Sequence, residues 1–250
     1  SAHLIGIGMK NNTPVGYLLI GLGLALSGWF IGHGFVSGRT ADRFVTVKGV
    51  SERDVEADLG LWPLQVVANA NSLEEAQATI DASLAKVRSF LSDHDLGETH
   101  LELQGVEVTD RLANPYGDPG IRGGRFVVQQ KLMVRSDEPI LIHLASQAVG
   151  ELVSKGVVLS SGTGGGPATP TFLFKSLNAL KPEMIAEATA SAREAASRFA
   201  ADSDSRLGNI RRANQGIFVV LARDAAAGIP ENSQLNKTIR VVATVEYFLD

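Results

Sequence analysis

The sequence predicts an α+β protein in which one N-terminal transmembrane helix precedes a domain of antiparallel or mixed sheets packed with long helices. Residues 14–36 contain no Asp, Glu, Lys or Arg. As a helix this block would be about 35 Å long, enough to cross the ~30 Å hydrocarbon core of a bilayer. Beyond residue 43, segments of alternating apolar and polar residues are interspersed with segments whose apolar residues recur every three or four positions. These patterns are typical of half-buried strands and amphipathic helices.

The sequence divides into four segments. In order, they are a leader, a non-native extension or a short cytoplasmic N-terminus at 1–13, the membrane segment at 14–36, a polar linker at 37–43 and one domain at 44–250. Within the domain, the possible halves 44–136 and 156–250 are joined by a helix at 138–154. Both halves share an order of elements, which suggests a pseudo-repeat.

Two interpretations of residues 14–36 remain open. A cleaved signal peptide would use Lys10 as its basic start and Val36-Ser37-Gly38 as its cleavage region. An uncleaved signal anchor is favoured because the apolar run is long for a signal peptide. Charge does not settle the orientation, since Lys10 on one side faces Arg39 and Arg43 on the other. We expect the N-terminus to lie in the cytoplasm.

Small residues recur along one face of this segment. Gly21, Ala25, Gly28 and Gly32 follow at spacings of four, three and four, and Gly28 with Gly32 forms a GxxxG pair. Such a face lets two membrane helices approach closely, so these residues are the predicted helix-packing site. The alternative is chance alignment, because glycine is common in membrane helices.

Composition excludes several functions. The chain has 23 Lys and Arg against 27 Asp and Glu and a pI of about 5.8, and no basic tract interleaved with aromatic residues, so nucleic acid is not an expected partner. Cysteine is absent, which excludes disulfides, thiol nucleophiles and cysteine-based metal sites.

The first half is predicted to contain four strands and one helix. Strands at 44–49 and 54–68 are joined by a tight turn at 51–53, and Trp62-Pro63 marks an edge strand or a bulge because proline donates no ladder hydrogen bond. Ser72 and Glu75 form a capping box that opens a helix. Its apolar stripe comprises Leu73, Ala76, Ile80, Leu84, Val87 and Leu91.

A shift in apolar phase marks the next strand, 101–112. The shift falls at Gly105 and predicts a bulge there. A loop at 113–124 leads to a strand at 125–135, in which Phe126, Val128, Leu132 and Val134 share a face.

The second half follows a helix at 138–153 with Ile142, Ala145, Val149 and Leu152 inward. Its elements are predicted as short strands at 156–161 and 171–175 around a glycine-rich loop, a helix at 181–204, and strands at 210–221 and 237–249. The alanine-rich side of the long helix is predicted to lie against a sheet and to comprise Ile185, Ala188, Ala192, Ala195 and Phe199.

No set of residues predicts catalysis, a cofactor or a metal ion. The five histidines, at positions 3, 33, 94, 100 and 143, are scattered without metal-ligand spacing. The glycine loop 162–167 lacks the Lys and Ser or Thr of a phosphate-binding loop and is followed by prolines. Glu102, Glu107, Asp110 and Arg111 resemble a solvated strand face. Long loops at 113–124, 161–170 and 223–236 are the expected places for contact with other molecules.

The chain resembles the SIMPL-domain family, the YggE-like periplasmic proteins that include a periplasmic immunogenic antigen. The resemblance covers residues 44–249 and is carried by VTVKGVSERDVEAD (45–58), Trp62-Pro63, and the long helix with its Leu-Gly step and following strand (178–216). It implies an α+β domain facing the periplasm, large ring-like or cage-like homo-oligomers in some members, and a loose association with envelope or oxidative stress. It carries no catalytic residue.

These observations predict a single-pass protein of the bacterial inner membrane, held through residues 14–36 with its domain in the periplasm. We expect a non-enzymatic homo-oligomer with a scaffolding or envelope-stress role. The alternative is a periplasmic binding module for a small apolar or lipid-like ligand. No cofactor and no specific small-molecule partner is identifiable.

Overall fold

A computed structural model describes residues 13–40, 43–113, 123–160 and 169–250. The expected loops at 113–124 and 161–170 lie largely outside these residues. The helices are α1 (Thr13–Thr40), α2 (Leu73–Asp93), α3 (Pro139–Gln147), α4 (Gly150–Ser154) and α5 (Leu177–Asp202). The strands are β1 (Phe44–Glu56), β2 (Leu59–Ala70), β3 (Leu101–Asp110), β4 (Phe126–Ser136), β5 (Thr171–Leu173), β6 (Leu207–Gln215), β7 (Val219–Ala222) and β8 (Asn236–Leu249).

The strands form two antiparallel sheets, which confirms the α+β class. In one sheet the order is β1-β8-β6, and β7 also pairs with β8; in the other the order is β3-β4-β2-β5. The pseudo-repeat is not shown, because β1 and β2 belong to different sheets. The chain forms two compact units. Unit 1 comprises 1–49, 189–215 and 243–250, and unit 2 comprises 50–188 and 216–242.

The core of unit 2 lies between α2 and the sheet containing β2. Ser72 caps α2 by accepting a hydrogen bond from the backbone N–H of Glu75, at 3.2 Å, as the sequence predicts. The predicted stripe is buried except for its first residue, Leu73, and it packs with Trp62 of β2 and Leu132 of β4. The shared inward face predicted for β4 is confirmed, with Phe126 half-buried at its start.

The core of unit 1 is small and rich in alanine. Ala192 and Ala196 of α5 pack with Val45, Val245 and Tyr247 of the sheet. Small side chains let a helix lie close to a sheet, so this part of the prediction is confirmed.

The predicted buried side of α5 is correct at Ala188 and Ala192 and wrong at Ala195 and Phe199. The buried positions recur at every fourth residue and are Met184, Ala188, Ala192, Ala196 and Ala200. Ala195 is exposed and Phe199 is 54% exposed. A strict four-residue spacing advances about 40° per step around a helix, so the buried line winds slowly around α5 instead of following its axis.

The tight turn predicted at 51–53 is also wrong, because β1 continues to Glu56. Ser51 is buried and donates a 2.6 Å hydrogen bond to Glu187 of α5. Arg53 forms ion pairs with Glu183 and Glu187, each at 2.6 Å. The polar residues that suggest a turn are therefore strand residues with partners on a helix.

Pro63 lies within β2, an inner strand of its sheet. β2 pairs continuously with β4 through Pro63, opposite Met133, so there is no bulge. On the other side, β5 pairs only with 59–61, and contact resumes where Val66 meets Leu159. Among the described residues, none pairs with Pro63 on the side of β2 away from β4, so no described ladder hydrogen bond is lost to the missing proline N–H.

Two predicted elements are each divided. The helix at 138–153 is split into α3 and α4 around Ala148-Val149, and the strand at 210–221 into β6 and β7 around Gly216. The Gly216 N–H donates to the Val242 carbonyl at 2.9 Å, and a Cβ at this position would lie 2.5 Å from that oxygen. Only glycine fits this contact.

Asp58 holds the start of α5 from the turn between β1 and β2. Its carboxylate accepts backbone hydrogen bonds from Lys175 at 2.6 Å and Ser176 at 2.8 Å. Burial raises the pKa of Asp58, but the hydrogen bonds from Ser176 and Lys175 and the Lys175 charge outweigh burial, so the pKa lies below its usual value. The ionised carboxylate therefore stabilises the fold.

We predict that Ala196→Leu lowers the free energy of unfolding by about 1–3 kcal/mol, because the larger side chain has no room against the unit 1 sheet. Circular dichroism during heating of the full chain in detergent measures the effect. Ala195→Leu is the matched control at an exposed position of the same helix and should leave the melting temperature nearly unchanged. Equal losses in both variants would contradict the assigned helix phase.

We predict that Asp58→Asn lowers stability at neutral pH and weakens its dependence on acid. Because the folded pKa of Asp58 lies below the unfolded value of about 3.9, its contribution is complete above that value and is lost as pH falls through the folded pKa. Thermal unfolding between pH 7 and about pH 3 tests this. Asp93→Asn makes the same charge change at an exposed position of α2 and should leave both the stability and its pH dependence unchanged. Parallel stability profiles of wild type and Asp58→Asn across this pH range would contradict the role assigned to Asp58.

Candidate interaction surface

Strand β3 is an outer strand of its sheet, and its side chains are exposed or half-buried along its length. Leu103, Val106 and Val108 are 48%, 54% and 50% exposed. A strand edge with apolar side chains offers both backbone hydrogen-bonding groups and apolar area to a neighbouring molecule.

A bulge places these apolar residues on one face. The register with β4 shifts between Leu103 and Val106, which confirms the bulge predicted at Gly105. Leu103 is opposite Leu132, Val106 opposite Gln130 and Val108 opposite Val128, and these β4 partners are all buried. The three apolar side chains therefore lie on the same face of the sheet as α2. Together they are called the β3 strip.

The bulge is fixed by a buried amide. Gln130 is almost fully buried, and its Nε2 donates to the carbonyl oxygens of Gln104 and Lys131, each at 2.9 Å. Because an unpaired buried polar group is costly, these bonds set the register of β3.

An open groove continues the β3 strip toward the start of α2. Its apolar lining comprises Leu73, Ala78, Val108 and Phe126. Its polar rim comes from Asn71, Ser72, Glu74, Gln77 and Asp81. Strip and groove form a continuous, partly apolar surface within unit 2.

The carboxylates of β3 form surface ion pairs. Asp110 accepts two hydrogen bonds from Arg125, at 3.1 Å from Nε and 2.7 Å from Nη2, and Glu107 lies 3.7 Å from Lys131. The hydrogen bond from Arg125 holds the pKa of Asp110 below its usual value. These exposed pairs match the solvated strand face expected from sequence and contribute little to stability.

The histidines of the described residues lie in separate surroundings. His33 stacks on Trp29 of α1, and His94 packs against Phe90 at the end of α2. His143 of α3 contacts the edge of Phe172, with 6.0 Å between ring centroids, and His100 lies beside Thr99. In the described parts of the chain, no three His, Asp or Glu side chains are placed to hold a metal ion together.

The apolar segment forms the helix α1. Its central part, Gly16–His33, has a mean hydropathy of 1.4 and is wholly exposed, so it is long and apolar enough to cross a membrane as a signal sequence or an anchor. A Cβ at Gly21, Gly28 or Gly32 would meet no atom within 4 Å. The packing face formed by Gly21, Ala25, Gly28 and Gly32 is thus uncovered within the chain, and its role stays a prediction.

Sequence reasoning missed the buried cation Lys237. It is fully buried, and its Nζ donates to the Glu231 backbone oxygen at 2.9 Å and to the Glu231 carboxylate. The missed signal is the alternation of β8, which puts Lys237 in phase with the buried Ile239 and Val241. The contact between Lys237 and Glu231 holds the loop 223–236 against the start of β8.

The model of the SIMPL family, described as a protein of unknown function (DUF541), matches residues 45–247. No curated protein matches the chain. The matched range includes strands of both sheets and all of α5. It also includes the Leu-Gly step after α5, in which Gly208 has little room for a side chain. A Cβ added to Gly208 would lie 3.1 Å from the Phe248 carbonyl oxygen. The chain therefore belongs to the SIMPL family of proteins of unknown function.

Proposed function

We propose that this chain is a membrane-anchored SIMPL protein that associates with copies of itself and serves a structural or scaffolding role in the bacterial envelope, without catalysis. In this proposal α1 is a single-pass anchor in the inner membrane and the SIMPL domain lies in the periplasm. The observation that carries the proposal is the uncovered β3 strip.

The β3 strip supports self-association because it is apolar, contiguous and fixed in register. A strip of half-exposed Leu and Val side chains at a sheet edge loses unfavourable contact with water when another molecule covers it. A second copy is the favoured occupant because the family resemblance implies homo-oligomers.

An anchor would strengthen weak contacts between copies. Tethering confines the domains to one plane and raises their effective concentration, so a modest interface becomes sufficient for assembly. The exposed α1 face of Gly21, Ala25, Gly28 and Gly32 offers a second contact inside the bilayer.

The distribution of ionisable groups supports a non-catalytic role. Among the described residues, Asp110, Glu183 and Asp137 have pKa values below their usual range because each accepts a hydrogen bond from an Arg or Lys. Such shifts keep these carboxylates ionised near neutral pH, where a carboxylate that transfers protons would need a raised pKa.

We predict that Val106→Lys with Val108→Lys shifts the full-length protein toward single protomers. A lysine buried without a partner costs roughly 3–5 kcal/mol, more than a weak interface can supply. Size-exclusion chromatography with light scattering in detergent measures the mass.

The matched control is Val153→Lys with Val158→Lys. These valines are about as exposed, at 60% and 61%, and the net charge change is the same. The control should keep the wild-type mass. A wild type that is already a single protomer in detergent, or an unchanged mass in the Val106 and Val108 variant, would overturn self-association through the β3 strip.

We predict that Gly28→Leu with Gly32→Leu also weakens assembly, because two leucines separate helices that pack through small residues. Gly16→Leu with Gly23→Leu is the control, since these glycines lie on the opposite side of α1 at about 100° per residue. Light scattering of both variants compares them. If the mass of the first variant equals that of the control, α1 acts only as a tether.

A binding module for a small apolar ligand is the second candidate, favoured by the groove beside α2. It predicts an apolar molecule that copurifies with the protein and is detected by mass spectrometry. Loss of that molecule from the Val106 and Val108 variant at unchanged mass would favour this function over self-association.

A further inference from the structure

Within the residues that the structure describes, one face of the unit 1 sheet carries cations and lies opposite the face that packs against α5. In β1, Phe44, Thr46 and Lys48 are exposed and alternate with the more buried Val45, Val47 and Gly49. The buried residues of this sheet face α5, so Phe44 and Lys48 lie on the opposite face. It is called the open face.

Strand β6 adds two arginines to the open face. Arg212 is opposite Glu246, which alternates with the buried Val245 and Tyr247 and therefore points away from α5. Arg211 lies in a register irregularity. Its guanidinium is 4.0 Å from the centre of the Phe44 ring and 3.4 Å from the Glu246 carboxylate. Both arginines thus lie on the open face.

The charge balance of the open face is positive. Among the described residues, the ionisable side chains that the strand pattern places on this face are Lys48, Arg211 and Arg212 against Glu246. The strand end adds Arg206 and Asp250, which are joined by reciprocal backbone hydrogen bonds of 2.9 Å and carry opposite charges.

The open face is tied closely to α1. Only two residues separate Arg43 from Thr40, the last residue of α1, so their Cα atoms are at most about 11 Å apart. Phe44 follows directly, and Arg211 covers its ring. A bilayer crossed by α1 would have headgroups extending several Å beyond its hydrocarbon core, within reach of this face.

We propose that the open face docks on the anionic phospholipid headgroups of the membrane that holds α1. The proposal rests on the anchoring role proposed above. Arginine forms forked hydrogen bonds to phosphate oxygens, and the guanidinium of Arg211 lies over the Phe44 ring on this face. Lipid is favoured over an acidic protein because the chain itself delivers this face to within a short tether of the headgroups.

Hydrogen exchange of the full chain in nanodiscs tests the proposal. Discs of neutral phosphatidylcholine are compared with discs that contain about one third phosphatidylglycerol, and exchange is followed at the β6 amides. Each cation near an anionic surface raises the equilibrium constant for docking about fivefold. The β6 amides should therefore exchange several-fold more slowly in the anionic discs than in the neutral ones. Raising the salt concentration should abolish the difference, because it screens exposed charges.

Two variants of equal net charge locate the contact. Arg211→Gln with Arg212→Gln should reduce docking by roughly 30-fold and remove the lipid dependence. Arg193→Gln with Arg198→Gln, on exposed positions of α5, should retain it. Exchange in α5 reports whether each variant remains folded.

Three results would overturn lipid docking: equal β6 exchange in both lipids, protection that persists at high salt, or loss of protection in both variants. The salt comparison uses wild-type protein, so the test does not depend on any variant folding. Failure of the protein to enter discs would overturn the anchor and the docking together. A single protomer per disc with β6 protected would contradict self-association alone.

Discussion

The close contact between α5 and the unit 1 sheet limits which side chains the core of that unit can hold and how α5 can be oriented. Ala192 and Ala196 have small side chains, and they pack directly against Val45, Val245 and Tyr247 in a small core. A close-packed core of this kind tolerates neither larger side chains nor a rotated helix. The SIMPL family model matches residues 45–247 and therefore spans this contact.

The same alanines explain why sequence predicted α5 but not its orientation. A helix such as α2 contrasts apolar and charged sides, so its sequence predicts both the Ser72 cap and the buried stripe from Ala76 to Leu91. In α5, alanine also occupies exposed positions such as 190 and 195, so composition does not distinguish the buried side. The extension of β1 through Ser51 and Arg53 escaped prediction for a different reason. Their partners, Glu183 and Glu187, lie more than a hundred residues away in sequence.

The sequence predicts the bulge in the candidate surface but not the position of that surface at the edge of a sheet. The phase shift at Gly105 correctly indicated a bulge, because apolar residues must return to the same face after one extra position. Exposure of the β3 strip depends instead on the strand order β3-β4-β2-β5, which places β3 at an outer edge. Sheet order is set by long-range pairing, so no local pattern reveals it. Lys237 illustrates the opposite case, since alternation in β8 alone marks it as a buried cation.

The bulge also bears on how a neighbour would contact β3. A regular outer strand invites addition of another strand, but the irregularity at Gln104 and Gly105 interrupts the ladder of backbone groups. The opposite face of β3 carries Glu107, paired with Lys131 of β4, which keeps that side solvated. The apolar side chains all lie on the α2 face. These three features favour a partner that covers the β3 strip from the helix side over one that extends the sheet. An interface of that kind leaves the edge protected against indiscriminate pairing while the apolar area remains available to a specific neighbour.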